Sequence, residues 1–444
     1  MTPFMGGAIF WPPMEELLDF RRFRMSNGLR VLVLEDHTLP IVSFQVHFAA
    51  GSRHERPGIT GISHLFEHMM FRGTKKLGPE EFSKIIQARG GVVNAFTTQD
   101  HTTYFENVPR EALELVVELE AHRLKELQIT AESLATEREV VRSERKMRIA
   151  NSPFGAVLEE LFALAYQRHP YRWPIIGWDH DIKRVTLEEC KEYFRLYYAP
   201  NNAVVVIAGD VGVEEALSLL QRHYGDIPPQ SIPQEVVEPE PPQRGERRAV
   251  FKKVAQLEAF FSGFHVPGIV HEDVAALLAL THILSSGRSS RLWRRFVKTG
   301  KAAEAGVMLD PPPFWPKDPG LMVVYAVAAP GVDIRELEEE VWREVEEIKS
   351  GRFEEGEVEK ARKGLRAAFI KRLQTLFFRG LLGGIYEIKT GGFEGAWKFA
   401  SSLEEVTPEG IQEVARRYLH EDNRTVVTLK PVSPEENERL GLIQ

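Results

Sequence analysis

Two histidines and a glutamate lie close together in an apolar segment early in the chain. His64, Glu67 and His68 fall inside residues 58–71, whose composition predicts a buried helix. Residues four apart on a helix lie one turn apart on the same face, so the two imidazoles can reach one metal ion. The order H-x-x-E-H is the reverse of the commoner H-E-x-x-H zinc motif. Both orders supply two neutral nitrogen ligands and a carboxylate that is free to act as a base.

The alternative interpretation is a set of core side chains whose hydrogen bonds are satisfied by neighbouring protein groups. Burial of three polar groups costs several kcal/mol unless each of them finds a partner. A metal ion would pair with all three at once. The sequence therefore favours a metal site at His64 and His68.

A third metal ligand must come from elsewhere in the chain, because catalytic zinc usually takes three protein ligands and keeps one position open. The helical segment 131–149 contains the candidates Glu132, Glu137, Glu139 and Glu144. Glu137 and Glu144 are seven residues apart, which places them on one helix face. The alternative for any one of them is a solvated acidic face, paired at i,i+4 spacing with nearby arginines. Spacing within this helix alone leaves both interpretations open.

Composition excludes several classes of protein. The 444 residues suit two domains or more, and 43% hydrophobic with 27% charged residues is typical of a globular chain. A net charge of −8, with both signs mixed along the chain, argues against a nucleic-acid partner. One cysteine, Cys190, excludes an intrachain disulfide and favours a reducing, cytoplasmic compartment. No apolar run reaches the ~18 residues of a membrane span, and Pro12 and Pro13 interrupt the apolar N-terminus.

The metal motif lies among alternating signals for strands and helices. Asn27-Gly28 is typical of a hairpin turn, and residues 15–24 before it are amphipathic. Strands are predicted over residues 29–34, 41–49, 92–98, 102–108 and 203–209. Helices are predicted over residues 79–88, 110–127, 131–149, 155–167 and 186–198.

The end of the chain repeats features of its middle at a constant offset. The matched pairs are Val185 and Val406, Tyr197 and Tyr418, and Asn202 and Asn423. Each pair is 221 residues apart (406 − 185, 418 − 197 and 423 − 202), and a constant offset is what an internal duplication predicts. In the second copy His282 stands where His64 does, but serines replace Glu67 and His68. The second copy is therefore not expected to hold the metal.

A proline-rich segment separates the two copies. Prolines 228, 229, 233, 239, 241 and 242 are interleaved with polar residues, which is typical of an extended linker. We therefore expect a zinc-binding domain over residues 1–227, a linker over 228–247, and a second domain over 248–444.

The chain resembles the inverzincin metallopeptidases of the pitrilysin and insulysin family, and in size it is similar to mitochondrial processing peptidase-like bacterial zinc peptidases. In that family a ligating glutamate follows the second histidine by about 76 residues, which selects Glu144 (144 − 68). A second family glutamate seven residues earlier matches Glu137, as support for the ligands or for positioning substrate. The family's Gly-Gly-x-x-Asn-Ala strand matches residues 90–95. The resemblance implies an α+β fold of two similar domains, each a largely antiparallel sheet flanked by helices.

The resemblance also implies a function. It predicts a zinc endopeptidase with one zinc per chain, held by His64, His68 and Glu144, in which Glu67 acts as general base. Catalytic members add an arginine and a tyrosine seven residues apart from the second domain, which matches Arg379 and Tyr386 as stabilisers of the oxyanion. Without the family, the same pair would be a surface arginine and a packed tyrosine.

Substrate and partner expectations follow from the same family. Asn94, Ala95 and Phe96 are expected to offer a strand edge to a peptide substrate. The family's half-size chains pair around a chamber, so a homodimer is expected, with no membrane partner. The alternatives are a subunit of the same fold with little activity alone, and a metal hydrolase that does not act on peptides.

Overall fold

Two mixed sheets organise the chain, and the computed structural model describes residues 17–235 and 237–440. The first sheet contains β1 (Arg21–Arg24), β2 (Arg30–Glu35), β3 (Ile41–Phe48), β4 (Val92–Thr97), β5 (Thr102–Pro109) and β6 (Ala203–Gly209). The second contains β7 (Arg247–Val254), β8 (Ala259–Val266), β9 (Ala302–Met308), β10 (Gly320–Ala328) and β11 (Arg424–Val432). The strand orders are β1-β2-β6-β3-β5-β4 and β7-β11-β8-β10-β9. Apart from β1, the two orders are the same.

Helices cover both sheets. In the first half they are α1 (Ile62–Met69), α2 (Glu81–Ala88), α3 (Leu113–Glu126), α4 (Ala131–Arg145), α5 (Pro153–Ala165), α6 (Asp179–Arg184), α7 (Leu187–Tyr197) and α8 (Val213–Tyr224). In the second half they are α9 (Val274–Ser285), α10 (Ile334–Lys349), α11 (Glu357–Leu373), α12 (Leu376–Thr390), α13 (Gly395–Ser402), α14 (Pro408–Tyr418) and α15 (Pro434–Arg439). No helix in the described part of the chain is long and apolar enough to cross a membrane.

The repeated Tyr–Asn pairs make the same contacts in both halves. Asn202 Nδ2 donates to the carbonyls of Tyr197 and Ala49, at 2.8 and 3.1 Å. Asn423 Nδ2 donates to the carbonyls of Tyr418 and His265, at 2.8 and 3.0 Å. In each half the asparagine joins the end of a helix to the neighbouring strand just before the next central strand begins. The predicted α+β fold from an internal duplication is confirmed.

Each half also supplies a helix to the sheet of the other half. Val157 and Leu161 of α5 pack in one apolar cluster with Phe261 of the second sheet. In return α12 packs against β3 and β6 of the first sheet. The two halves therefore share their cores, and the limits expected for separate domains remain predictions.

The proline-rich segment lies extended along the molecule. No helix or strand is assigned to its described residues before Arg247. The Glu240 carboxylate accepts hydrogen bonds from the backbone N–H groups of Gln167, Arg168 and His169, at 2.8 to 3.1 Å. These bonds attach the segment to the loop that follows α5.

The β1–β2 hairpin turns at the predicted Asn27-Gly28 pair, where Gly28 has a φ of 86°. This left-handed conformation favours glycine. Strand β1 covers residues 21–24, the last part of the amphipathic segment 15–24. The apolar residues before Leu17 lie outside the described residues.

The two faces of β3 are covered by different halves of the chain. Phe44 and Val46 point into the apolar cluster that also contains Phe66 of α1. Gln45, on the other face, donates from Nε2 to the Phe377 carbonyl at the start of α12, at 2.8 Å. Because side chains alternate along a strand, α1 and α12 cover opposite faces of the first sheet.

Candidate metal centre

Helix α1 is fixed at its first turn by a buried carboxylate. Gly61 precedes the helix with a φ of 89°, and the Glu55 carboxylate accepts hydrogen bonds from the N–H groups of Gly61 and Ser63, at 2.7 and 2.9 Å. Burial raises the pKa of Glu55 to about 8. Leu65 and Phe66 bury the opposite side of the helix in the core. The start of the helix is therefore fixed, and its buried face sets the orientation of the side chains that follow.

His64, His68 and Glu144 converge on one point. The two rings lie one turn apart with centroids separated by 5.0 Å. Glu144 Oε1 lies 3.8 Å from His64 Nε2, and Glu144 Oε2 lies 3.4 Å from His68 Nε2. The three ligand atoms lie within 4.8 Å of one another, and they form the one group of this kind among residues 17–235 and 237–440.

This donor set fits a zinc ion. Two imidazoles and one carboxylate are a known ligand set of catalytic zinc, with an open fourth position. Burial lowers the pKa of His64 to about 3, which keeps its imidazole neutral and able to bind a metal. Burial alone would also lower the pKa of His68, but the adjacent Glu137 carboxylate outweighs this and the pKa is raised.

Glu67 lies on the same wall of the site but is not part of the ligand cluster. Its carboxylate accepts a hydrogen bond from Thr97 Oγ1 of β4, at 2.6 Å. Burial raises the pKa of Glu67, and the Thr97 bond only partly opposes this effect. A carboxylate with a raised pKa is suited to take and return a proton near neutral pH.

The two glutamates on one face of α4 have different positions. Glu144 faces the metal point, whereas Glu137 is 1% exposed and lies behind His68, with Oε2 3.1 Å from His68 Nδ1. Because a carboxylate only accepts hydrogen bonds, the Nδ1 of His68 donates and its Nε2 is left free. Glu139 instead pairs with Arg142 at the surface, so the acidic-face interpretation holds for that residue.

A cavity of about 1270 Å³ opens beside the cluster. Residues 94–97 of β4 form one side, and α4 with the wider helical turn Lys146–Ala150 forms another. Phe96 packs edge-on against Phe314 of the second half, with centroids 5.7 Å apart. Because β4 is the edge strand of its sheet, Asn94, Ala95 and Phe96 lie where an extended peptide can reach them.

The structure does not bring Arg379 and Tyr386 to this cavity. Both lie on α12, on the opposite face of the first sheet from α1. Arg379 Nη2 pairs with Asp36 Oδ2 at 2.7 Å. Tyr386 is 1% exposed, in an apolar cluster that also contains Phe260 of β8 and Leu278 of α9. Their expected role at the oxyanion stays a prediction, and within one chain neither residue lines this cavity. A spacing of seven places two residues on one helix face but does not decide which sheet face the helix covers.

In the second half, the position equivalent to the metal site is filled by packing. His282 on α9 lies against Gly364 of α11, where a β-carbon would approach the ring to 2.7 Å. A glycine therefore stands beside the imidazole, and no carboxylate faces it among the described contacts.

Two arginines next to the ligands were not found from the sequence. Arg72 pairs with Glu137, and Arg148 Nη1 lies 2.8 Å from Glu144 Oε1. Arg72 follows His68 by four residues, and Arg148 follows Glu144 by four. A search for cations at i+4 from each ligand would have found both.

Comparisons with known proteins agree with this fold. Residues 30–178 match the family model described as Insulinase (Peptidase family M16), and residues 184–365 match the model described as Peptidase M16 inactive domain. The inactive-domain match begins after the motif, near the end of the first half, and extends into the second half. Zinc protease PqqE of Helicobacter pylori is 32% identical over 92% of each chain. The chain belongs to the insulinase family of peptidases, as the resemblance predicted.

A solved structure and a plant relative show the same similarity. The crystal structure of a protease from Helicobacter pylori matches with a TM-score of 0.88 and 31% identity, over 93% of this chain and 99% of that one. The probable mitochondrial-processing peptidase subunit beta of Arabidopsis thaliana is 23% identical, over 92% of this chain and 78% of its own length. Family membership and the names of these relatives support a peptidase role and zinc as the metal.

Proposed function

We propose that the protein is a zinc-dependent endopeptidase that hydrolyses peptides or small unfolded polypeptides. The observation that carries the proposal is the convergence of His64, His68 and Glu144 on one point, with the Glu67 carboxylate on the same cavity wall. One zinc ion per chain is proposed, because the described residues contain one such cluster.

The chain's own groups would divide the work as follows. Bound zinc would supply Lewis acidity for the attack of water on a peptide carbonyl. Glu67 takes a proton from the attacking water at its carboxylate and returns it to the leaving amine nitrogen. Thr97 donates a hydrogen bond that orients the Glu67 carboxylate. Glu137 orients His68 from behind.

Substrate is proposed to bind along β4. The edge strand can accept an extended peptide by backbone hydrogen bonds, which fix the peptide but leave sequence preference loose. Asn94, Ala95 and Phe96 lie on the cavity wall at this edge and would flank the peptide.

A partner-dependent enzyme is the second candidate. Its support is the position of Arg379 and Tyr386 away from the cavity, which leaves Arg148 as the one arginine or lysine in the cavity wall.

The proposed assembly is a homodimer, with a second copy closing the chamber. Sedimentation of the purified chain tests it, and a monomer alone or an obligate different partner would contradict it.

The catalytic proposal is tested with Glu67→Gln. This variant is expected to retain zinc, measured by metal analysis, and to lose hydrolysis of a fluorogenic peptide, because an amide cannot take the proton. Glu139→Gln is the matched control, since Glu139 borders the same cavity but is exposed and pairs with Arg142. It should keep both properties. Hydrolysis by Glu67→Gln at the wild-type rate would refute the role of Glu67.

A further inference from the structure

Arg72 touches the support of the metal site although it lies outside the cavity. It follows His68 by four residues, just beyond the end of α1, and its Nη2 forms an ion pair with Glu137 Oε1. Its Nη1 lies 3.5 Å from the carboxylate of Glu80. The Arg72 side chain is 23% exposed, whereas the Glu137 side chain is 1% exposed. The arginine therefore joins a surface acid to a buried one.

The buried Glu137 carboxylate needs this cation. An ionised carboxylate in a protein interior is stable only when it is paired and hydrogen-bonded. Arg72 contacts Oε1, and the ring N–H of His68 reaches Oε2 at 3.1 Å. Glu137 thus makes an ion pair with Arg72 at Oε1 and a hydrogen bond with His68 at Oε2, so the carboxylate is held between the arginine and the imidazole.

The two histidines differ in this respect. His64 Nδ1 is buried and has no hydrogen-bond partner among the described residues. Packing alone orients the His64 ring, whereas His68 is oriented by a hydrogen bond whose acceptor is fixed in turn. The placement of the ligand nitrogens therefore depends more on the groups that orient the His68 ring than on hydrogen bonds to His64.

We infer that Arg72 is a positioning residue for the metal: it fixes the Glu137 carboxylate, which holds His68 with its Nε2 directed at the ligand point. This inference rests on the proposed zinc site. Groups that orient a ligating histidine are typically worth 10–100-fold in metal affinity. Arg72 acts one step further away, so its loss is expected to weaken zinc binding by about tenfold, at the lower end of that range.

Zinc affinity of the full chain, measured by competition with a chromophoric chelator, tests the inference. Arg72→Met should weaken zinc binding, and Arg72→Lys should recover part of the loss. The double variant Arg72→Met with Glu137→Gln should bind zinc as Glu137→Gln alone does, because the arginine acts through that carboxylate. Arg248→Met is the matched control, since Arg248 pairs with the buried Glu338 on the second half. Its zinc affinity should equal that of the wild type.

Three results would overturn the inference. The first is wild-type zinc affinity in Arg72→Met, and the second is a double variant whose losses add. If Arg72→Met does not fold, the zinc affinity of Arg72→Gln is measured in its place, because the amide fills the position without charge. The third is a wild-type chain that binds no zinc, which would remove the proposed function as well; with zinc bound to the wild type, only the role of Arg72 is at stake.

Discussion

Gly384 allows α12 to lie directly on the first sheet, and its replacement by alanine should separate them. A β-carbon at position 384 would lie 2.2 Å from His47 Nε2 and 2.5 Å from its Cδ2. The ring cannot turn aside freely, because Nδ1 bonds Thr103 Oγ1 at 2.8 Å and Nε2 bonds Gln45 Oε1 at 3.2 Å. Carbon atoms pack at about 3.5–4.0 Å, so the helix must move away by more than 1 Å, or the ring must leave its partners.

The cost of Gly384→Ala can be estimated from these contacts. Overpacking a close-packed contact costs about 1–3 kcal/mol. Loss of the His47–Gln45 hydrogen bond adds about 1 kcal/mol, and the better helix propensity of alanine returns a similar amount. We expect a net loss of about 1–3 kcal/mol in the free energy of unfolding. In a chain with halves of this size, that loss lowers the melting temperature by roughly 2–12 °C.

Thermal and urea unfolding measure this loss, with Gly410→Ala as the matched control. Gly410 is also a helical glycine, but a β-carbon there meets nothing closer than Thr407 Oγ1 at 3.5 Å. The control should gain up to about 1 kcal/mol from helix propensity. Combining Gly384→Ala with His47→Ser should restore part of the lost stability, because the smaller side chain makes room. Equal melting temperatures for Gly384→Ala and Gly410→Ala would refute this placement of α12.

Two further predictions follow from buried side chains. Burial lowers the pKa of His47 to about 3 and that of His265 to about 4. As the pH falls below 6.5, the ordinary pKa of histidine, both side chains therefore become protonated in the unfolded chain before they do so in the folded one. Stability is then complete above pH 6.5 and falls as the pH drops, by roughly 5 kcal/mol at pH 4.5 for the two groups. Urea midpoints across this range test the prediction: His265→Gln should remove one histidine's share of the pH dependence, roughly half of the 5 kcal/mol given for the two groups, and a flat wild-type profile would contradict it. Tyr386→Phe should leave turnover and stability unchanged, because the buried hydroxyl has no hydrogen-bond partner among the described residues. A tenfold fall in turnover would contradict this prediction and support a catalytic role for Tyr386.

Local spacing predicted that the two candidate histidine ligands converge, for a physical reason. His64 and His68 occupy one helix face in any context, so their convergence depends only on helix geometry. The constant 221-residue offset likewise predicted the duplication, because Asn202 and Asn423 each bond the helix end five residues before them. Glu144 needed more than spacing, since four glutamates of α4 were open until a family pattern selected one.

The placement of α12 could not be read from the seven-residue spacing of Arg379 and Tyr386. That spacing fixes their common face but not the surface on which the helix packs. The better signal was the set of glycines on α12, of which Gly380 and Gly384 lie against Gln45 and His47. Small residues at i and i+4 form a flat stripe that allows close approach to polar side chains. This pattern predicts that the helix packs closely against a sheet.

The second half helps to hold strand β4 of the first sheet. Asp100, in the turn between β4 and β5, pairs with Arg53 at 3.0 Å and with Lys389 of α12 at 3.3 Å. Burial would raise the pKa of Asp100, but the Lys389 ammonium and the Arg53 guanidinium hold it well below its usual range. The carboxylate is therefore ionised and fixed by a cation from the other half. Because this turn directly follows the edge strand β4, we expect a displacement of α12 to reach β4, the proposed peptide-binding edge, through the Lys389–Asp100 ion pair.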